Sequence, residues 1–497
     1  MDILYKSTRG GEENVPASLA VLKGLCDDGG LFVPMKMPEF DFTLSELKDM
    51  DYKTTAYRVM RLLLTDYSEE ELKSCIERAY DEKFDVPDAV ELKKAGDQYF
   101  LELFHGKTIA FKDMALSMLP HLMTTAIKKN KADKEVVILT ATSGDTGKAA
   151  LEGFCDVPGT RIIVFYPKDG VSKIQKLQMV TQKGGNTKVV AVKGNFDDCQ
   201  SMVKSIFNDR ELSEEMAQKG FAFSSANSIN IGRLVPQIVY YVYAYGRLLA
   251  DGAIKEGERI VFTVPTGNFG NILAGYYAKL MGLPVSKLVC ASNDNKVLYD
   301  FFETGIYDKN REFVLTCSPS MDILVSSNLE RLIYMMTGCD SKKTGELMRG
   351  LSEKGRYEIS EDMKAGYKDF AGFYAAEDEA LDTIKKIYEK TGYVIDTHTA
   401  VAAACDHKYR EQSGSRDLSV VISTASPYKF AADVLYGITG KRVPDDEDVF
   451  KVTDELYALS KTKLPPAVTG LKDAPILHDT VCEKNEMKEA VRKSLGL

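Results

Sequence analysis

Short, continuous apolar runs alternate with helical stretches through the middle of the chain. Val136–Thr140 (VVILT) is one such run; it ends in a glycine-containing turn that opens into a helical stretch. Arg161–Tyr166 (RIIVFY) repeats the pattern, followed by a helix expected over Ser172–Thr181. Lys188–Val192 is a third strand, with a helix over Asp197–Phe207. Further strands are expected at Arg259–Val264, Lys287–Ala291 and Ser419–Thr424. Strands that are apolar throughout, rather than alternating, are buried on both faces, and their alternation with helices predicts a parallel α/β sheet with right-handed crossovers.

The first ~90 residues carry a different pattern and read as mostly helical. Ser68-Glu69-Glu70-Glu71 is a capping box, in which the hydroxyl satisfies a free N–H and Glu71 reaches back to the cap. The LKSCIERAY that follows has helical apolar spacing. Residues ~300–395 lose the strand–helix alternation and contain charged helical stretches such as Glu377–Lys390, which reads as a largely helical insertion.

Composition narrows the class. At 497 residues the chain exceeds one ordinary core, and about three domains are expected. A net charge of −9 excludes a globally basic nucleic-acid binder, while leaving room for a local cationic pocket. The nine cysteines are scattered without a CxxC pair, and the closest of five histidines, His398 and His407, lack helical metal spacing. No disulfide framework and no metal site is expected. The N-terminal MDILYKSTRGGEE has no apolar core, and no run of 18 apolar residues occurs, so a cytoplasmic protein with no membrane partner is expected.

Three segments carry candidate chemistry, because open α/β sheets bind ligands at the carboxyl ends of their strands. Thr140-Ala141-Thr142-Ser143-Gly144-Asp145-Thr146-Gly147-Lys148 follows a strand and opens a helix, where free N–H groups suit an anion. It fails the P-loop template at two of four fixed places, Thr142 and Ala149; as a simple helix cap it would carry no function. Pro265-Thr266-Gly267-Asn268-Phe269-Gly270-Asn271 is a second strand-to-helix turn that allows several N–H groups to converge on one phosphate. It is not the dinucleotide GxGxxG. Two such turns in one sheet point to one ligand with two anionic ends, or to two ligands side by side. In the third segment, Phe104–Asp113, Lys112 follows Phe111 at the start of an amphipathic helix. Burial would lower its pKa and make a nucleophilic amine; otherwise it is a solvated helix-start charge, with Asp113 as a ready partner.

FHGKTIAFKD, TATSGDTGKAA and PTGNFGN, in this order, resemble the pyridoxal-phosphate enzymes of the tryptophan synthase β type (fold type II). More closely, the chain resembles the threonine synthase family in its long bacterial and fungal form. The likeness extends to YKSTRG at 5–10, DDGGLFVP at 27–34, NSINIGRLVPQ at 227–237, SPSMDILVSSNLERL at 318–332, DTHTAVA at 396–402 and STASPYKF at 423–430. It implies an N-terminal domain over 1–90 and a large cofactor-binding domain from 91–130, 210–300 and 396–497. A small α/β domain over 131–209 and the insertion over 301–395 complete the chain.

By the same resemblance, Lys112 holds pyridoxal 5'-phosphate as a Schiff base. Gly267, Asn268, Phe269, Gly270 and Asn271 cradle its phosphate, Thr424 faces the pyridine nitrogen and Asp145 lies near the ring hydroxyl. Thr142, Ser143, Gly144 and Thr146 receive the substrate α-carboxylate. The implied reaction converts O-phospho-L-homoserine and water to L-threonine and phosphate, with Lys112 moving the Cα and Cβ protons. A phospholyase giving 2-oxobutyrate, ammonia and phosphate is the alternative, since it shares the first steps. The substrate phosphate needs a donor-rich pocket, for which Asn227, Ser228, Asn230, Arg233 and Lys173 fit. By spacing alone Arg233 is equally a helix-surface charge. Ser318–Asp322 and Ser326–Asn328 are candidates to line the pocket without an assigned role. Two positions depart from the family pattern: Ser426 stands where His is common, and Thr397 where Pro is commoner. A monomer or homodimer acting on a small molecule is expected.

Overall fold

The computed structural model describes residues 2–142, 144–169, 171–207, 209–444 and 446–497. Two sheets organise it. The larger has six strands in the order Phe370–Tyr374, Val285–Ser292, Ile260–Pro265, Leu418–Ser423, Gln98–Glu102, Glu91–Ala95. Its pairings are parallel except the last, where Glu91–Ala95 and Gln98–Glu102 form a hairpin through the Gly96 turn. The smaller sheet has five parallel strands in the order Val481–Glu483, Thr187–Lys193, Thr160–Pro167, Glu135–Ala141, Phe221–Ser224. The six strands expected from continuous apolar runs all form, within two residues at either end, because each run is buried on both faces by flanking helices.

Three domain assignments need correction. Phe221–Ser224, placed by sequence with the large domain, is an edge strand of the small sheet. Residues 481–497 also leave the large domain: Val481–Glu483 pairs with Thr187–Lys193, and the helix Met487–Leu495 buries Met487, Val491 and Leu495 against that sheet's core. The insertion is helical in Ser341–Lys354 and Glu377–Thr391, yet it also supplies Phe370–Tyr374, the edge strand of the large sheet. These strands are only three to five residues long, too short for a pattern of period 2 to show.

The N-terminal segment is mostly helical, as expected, with the Ser68/Glu71 capping box formed at the helix Glu69–Ala79. It also contains a two-stranded pair, Tyr5–Ser7 with Phe32–Pro34. The 20-residue helix Ile231–Ala250 is buried almost throughout and runs between this segment and the large sheet. No helix among the described residues is long and apolar enough to cross a membrane.

Candidate active site

The carboxyl ends of both sheets face one cavity of about 740 Å³. On the large-sheet side, Ile260–Pro265 turns through Thr266–Phe269 into the helix Gly270–Leu280. Phe269 adopts left-handed backbone (φ 62°), and no side chain caps the helix, so its first-turn N–H groups remain for a ligand. Asn271 is held from behind: its Oδ1 accepts from the hydroxyls of Tyr240 (2.6 Å) and Tyr241 (2.7 Å), while its buried Nδ2 has no partner among the described residues. Asn328 fixes the carbonyl of Asn268 through its N–H (3.1 Å) and Nδ2 (3.0 Å). Asn328 in turn accepts from Arg331, a wholly buried guanidinium that also donates to the carbonyls of Phe32 and Ile229. The N-terminal segment thus braces the turn from below.

Lys112 begins the helix Lys112–Leu116 and points into the cavity. Its Nζ donates to Ser320 Oγ at 3.3 Å and lies 3.6 Å from Asp145 Oδ2. Burial pushes its pKa down; the charges of Lys429 and Arg233 push the same way, against the pull of Asp145. Asp113 is not its partner. Asp113 accepts instead from the N–H (2.8 Å) and hydroxyl (2.6 Å) of Thr108, and burial raises its pKa to about 6.

Asp145 opens the helix Asp145–Phe154 on the small-sheet side and sits just behind the cavity wall. It collects Lys429 Nζ (2.9 Å), Gln175 Nε2 (2.8 Å) and Ser320 Oγ (2.8 Å). Burial opposes its charge, but the Lys429 and Lys112 cations outweigh that cost and hold the carboxyl well below the usual range. Thr142 lines the cavity, and its Oγ1 accepts from the N–H groups of Gly144 and Gly147, both at 2.9 Å. Gly144 lies at φ 133°, and a Cβ there would fall 2.4 Å from Gln175. Thr146 lines the same wall, whereas Ser143 lies outside the described residues.

Arg233 is no surface charge. It is buried in the first turn of Ile231–Ala250, lines the cavity and has no carboxylate partner among the described residues. One nitrogen donates to the Ala226 carbonyl (2.6 Å), Nε has no partner among the described residues, and burial lowers the pKa to about 10. Asn227 and Ser228 line the cavity beside it.

Two expected ligands stand elsewhere. Asn230 is fully used as a helix cap: Nδ2 donates to the carbonyls of Val21 (3.0 Å) and Ser225 (2.9 Å), and Oδ1 accepts from Gly232 (2.8 Å). Lys173 is exposed and donates to the Glu447 carbonyl at 3.0 Å. The Ser172/Gln175 capping box of its helix turns Gln175 inward and leaves Lys173 on the outer side.

Thr424 ends Leu418–Ser423 and lines the cavity, its carbonyl accepting from the Phe111 N–H at 2.8 Å. Of the two departures, Ser426 caps the turn Pro427–Phe430 behind the cavity, and Thr397 Oγ1 donates to the Cys317 carbonyl (2.7 Å), a bond that proline would lack. Sequence reasoning assigned nothing to Lys429, Gln175 or His398. His398 is buried on the cavity wall, joined to Asp396 through Nδ1 (2.8 Å) and to the Ser320 N–H through Nε2 (3.2 Å). Each lies inside a motif or capping box, yet its partner is far away in the chain, so no local pattern marks it. Away from the cavity, Glu91, Glu102 and His105 bring possible ligand atoms within 4.8 Å of one another. His105 there is already hydrogen-bonded to Asp85 (2.7 Å) and Glu102 (3.1 Å).

Residues 4–80 match the family model "Threonine synthase N terminus", and residues 91–425 match "Pyridoxal-phosphate dependent enzyme". Threonine synthase of Saccharomyces cerevisiae is 34% identical, over 97% of this chain and 98% of that one. The chain belongs to the threonine synthase family of pyridoxal-phosphate-dependent enzymes. The crystal structure of PLP-bound threonine synthase from Brucella melitensis superposes with a TM-score of 0.84, at 34% identity over 100% of both chains. "Threonine synthase-like 1" of Pongo abelii is 38% identical over 96% of this chain, which spans 64% of that protein's length.

The residues present fit the family's cofactor. The uncapped helix start and the free Nδ2 of Asn271, unpartnered among the described residues, suit a phosphate, and the part-buried amine of Lys112, its pKa lowered, suits an aldehyde. Gly267 leaves room between that turn and Ser320, since a Cβ would fall 2.6 Å from the Ser320 carbonyl.

Proposed function

We propose that the chain converts O-phospho-L-homoserine and water to L-threonine and phosphate. The observation that carries this reading is Arg233: a buried guanidinium with no carboxylate partner among the described residues, in the same cavity as Lys112 and the Gly267–Asn271 turn. A cavity with two separate anion sites and an amine of lowered pKa suits a phosphorylated amino acid beside a phosphorylated cofactor.

Bound at Lys112, pyridoxal phosphate supplies the electron sink for charge developing on the substrate carbons. Everything else falls to the chain. The helix start at Gly270 and Asn271 holds the cofactor phosphate, and the neutral hydroxyl of Thr424 leaves the pyridine nitrogen free of a forced proton. Thr142 and Thr146, at the start of Asp145–Phe154, receive the substrate α-carboxylate. Arg233, with Asn227 and Ser228, binds the substrate phosphate and steadies it as it leaves. Lys112, neutral more readily than a solvated lysine, takes the Cα proton and returns protons as the product forms. The compartment we propose is the cytoplasm, on the ground of nine unpaired cysteines.

Supplying O-phospho-L-homoserine and assaying threonine, 2-oxobutyrate and phosphate tests the reading. One threonine per phosphate supports it; 2-oxobutyrate and ammonia in place of threonine would make the chain a phospholyase.

A further inference from the structure

Ser320 stands where four parts of the site meet. It lies in the short turn Pro319–Met321. Its Oγ accepts from Lys112 Nζ at 3.3 Å and donates to Asp145 Oδ2 at 2.8 Å. Its N–H donates to His398 Nε2 at 3.2 Å, and its carbonyl abuts Gly267. Lys112 and Asp145, at 3.6 Å, are within ion-pair range but beyond a hydrogen bond, so the hydroxyl is the bridge between them.

The direction of that bridge is fixed by proton counting. Asp145, faced by two lysines, is ionised and can only accept. The single hydroxyl proton of Ser320 is therefore committed to Asp145, and only its lone pairs face Lys112. Lys112 must donate an N–H to Ser320, and the lone pair of the neutral amine is left unengaged by either neighbour.

We propose that Ser320 is a catalytic residue of the Lys112 site: its hydroxyl holds one N–H of the amine, turns the nitrogen lone pair into the cavity, and keeps Lys112 from pairing directly with Asp145. This rests on the reading of Lys112 as the cofactor lysine. His398 is a positioning residue for the same turn. The Ser320 N–H can only donate, so Nε2 accepts and the ring proton sits on Nδ1, given to Asp396 Oδ2 at 2.8 Å. Asp396 is in turn fixed as the cap of Thr397–Ser413, accepting from the N–H groups of His398 (2.9 Å) and Thr399 (3.1 Å). Thr397 grips the preceding loop through the Cys317 carbonyl at 2.7 Å, so one helix start holds the turn at two points.

The test uses the full chain freed of cofactor. Competitive labelling with an amine reagent across pH, read on the Lys112 peptide by mass spectrometry, gives the protonation midpoint of Lys112. The rate of pyridoxal-phosphate capture at pH 7.5 is followed by absorbance, and its site by borohydride reduction and peptide mapping. Without the hydroxyl, Asp145 takes the amine directly. Ser320→Ala is expected to raise the midpoint by about one pH unit and slow capture about tenfold, since the neutral fraction falls tenfold per unit. Ser320→Thr, which keeps a hydroxyl, should restore both, and His398→Gln, which keeps an acceptor, should outperform His398→Ala. An unchanged midpoint and rate in Ser320→Ala, with Lys112 still the captured residue, overturns the inference and leaves the reading of Lys112 intact. A Ser320→Thr chain as impaired as Ser320→Ala overturns it too, and capture at a residue other than Lys112 in the unaltered chain overturns both.

Discussion

Lys429 Nζ lies 2.9 Å from Asp145 Oδ1, and the lysine side chain is wholly buried. Its other contact is the carbonyl of Thr108, at 2.8 Å. One carboxylate thus stands between two lysines, and the geometry separates their roles: Lys429 is sealed behind the wall, while Lys112 faces the cavity. Breaking a buried pair by removing one partner strands the other charge, at a cost of about 3–5 kcal/mol. Lys429→Met should lose stability on this scale in urea unfolding. The Lys112 pKa should rise, because one of the cations that depress it is gone.

Lys112 carries a cost of its own. Its pKa is lowered on folding, so the folded state disfavours the charged amine. That penalty is present at pH 7, well below its ordinary value of 10.5. Lys112→Met should therefore abolish threonine formation and the cofactor's absorbance. Asp145 keeps its closer cation, Lys429 at 2.9 Å, so the cofactor-free chain should be more stable than the unaltered one in urea unfolding. Loss of both activity and stability would contradict this.

Arg233 is predicted to serve the substrate and not the cofactor. Charge-assisted hydrogen bonds to a phosphate contribute about 1.5–3 kcal/mol each. Arg233→Met should raise KM for the phosphorylated substrate by about 10- to 100-fold, with the bound cofactor's absorbance unchanged. A normal KM would remove Arg233 from the phosphate site.

His105 gives the pH dependence of stability a defined window. Burial disfavours its charge, but hydrogen bonds to Asp85 and Glu102 outweigh this and raise its pKa from 6.5 to about 9. A raised pKa means the folded state holds the proton more tightly. Its contribution is complete below pH 6.5 and is lost as pH rises through about 9. Because Asp85 is about one-third exposed (35%), solvent screens part of the effect, and about 2 kcal/mol is expected. The melting temperature should fall between pH 7 and 10, and should fall less in His105→Asn.

What could be read from the chain depended on how local the signal was. The strands Glu135–Ala141, Thr160–Pro167 and Ile260–Pro265 were legible because each is an apolar run buried on both faces, and the two anion turns follow directly from them. Lys112 was legible through its apolar neighbours and through the family resemblance. Arg233 was ambiguous, since helical spacing cannot tell a buried first turn from a solvated one. Lys173 and Asn230 misled for a shared reason. Polar residues at helix starts suit an anion and suit capping equally, and here the cap of one and the outward face of the other prevailed. Ser320, His398 and Lys429 act through partners that only the fold brings together, so no spacing in the sequence marks them.

Of the lysines on the cavity wall, Lys112 is the one beside Asp145 and Ser320, and it is the one proposed to hold the cofactor. Borohydride reduction of the purified chain with pyridoxal phosphate, followed by proteolysis and mass mapping, tests it most directly. The phosphopyridoxyl label is expected on Lys112 and none on Lys429. Label on Lys429, or no lysine labelled, would contradict it.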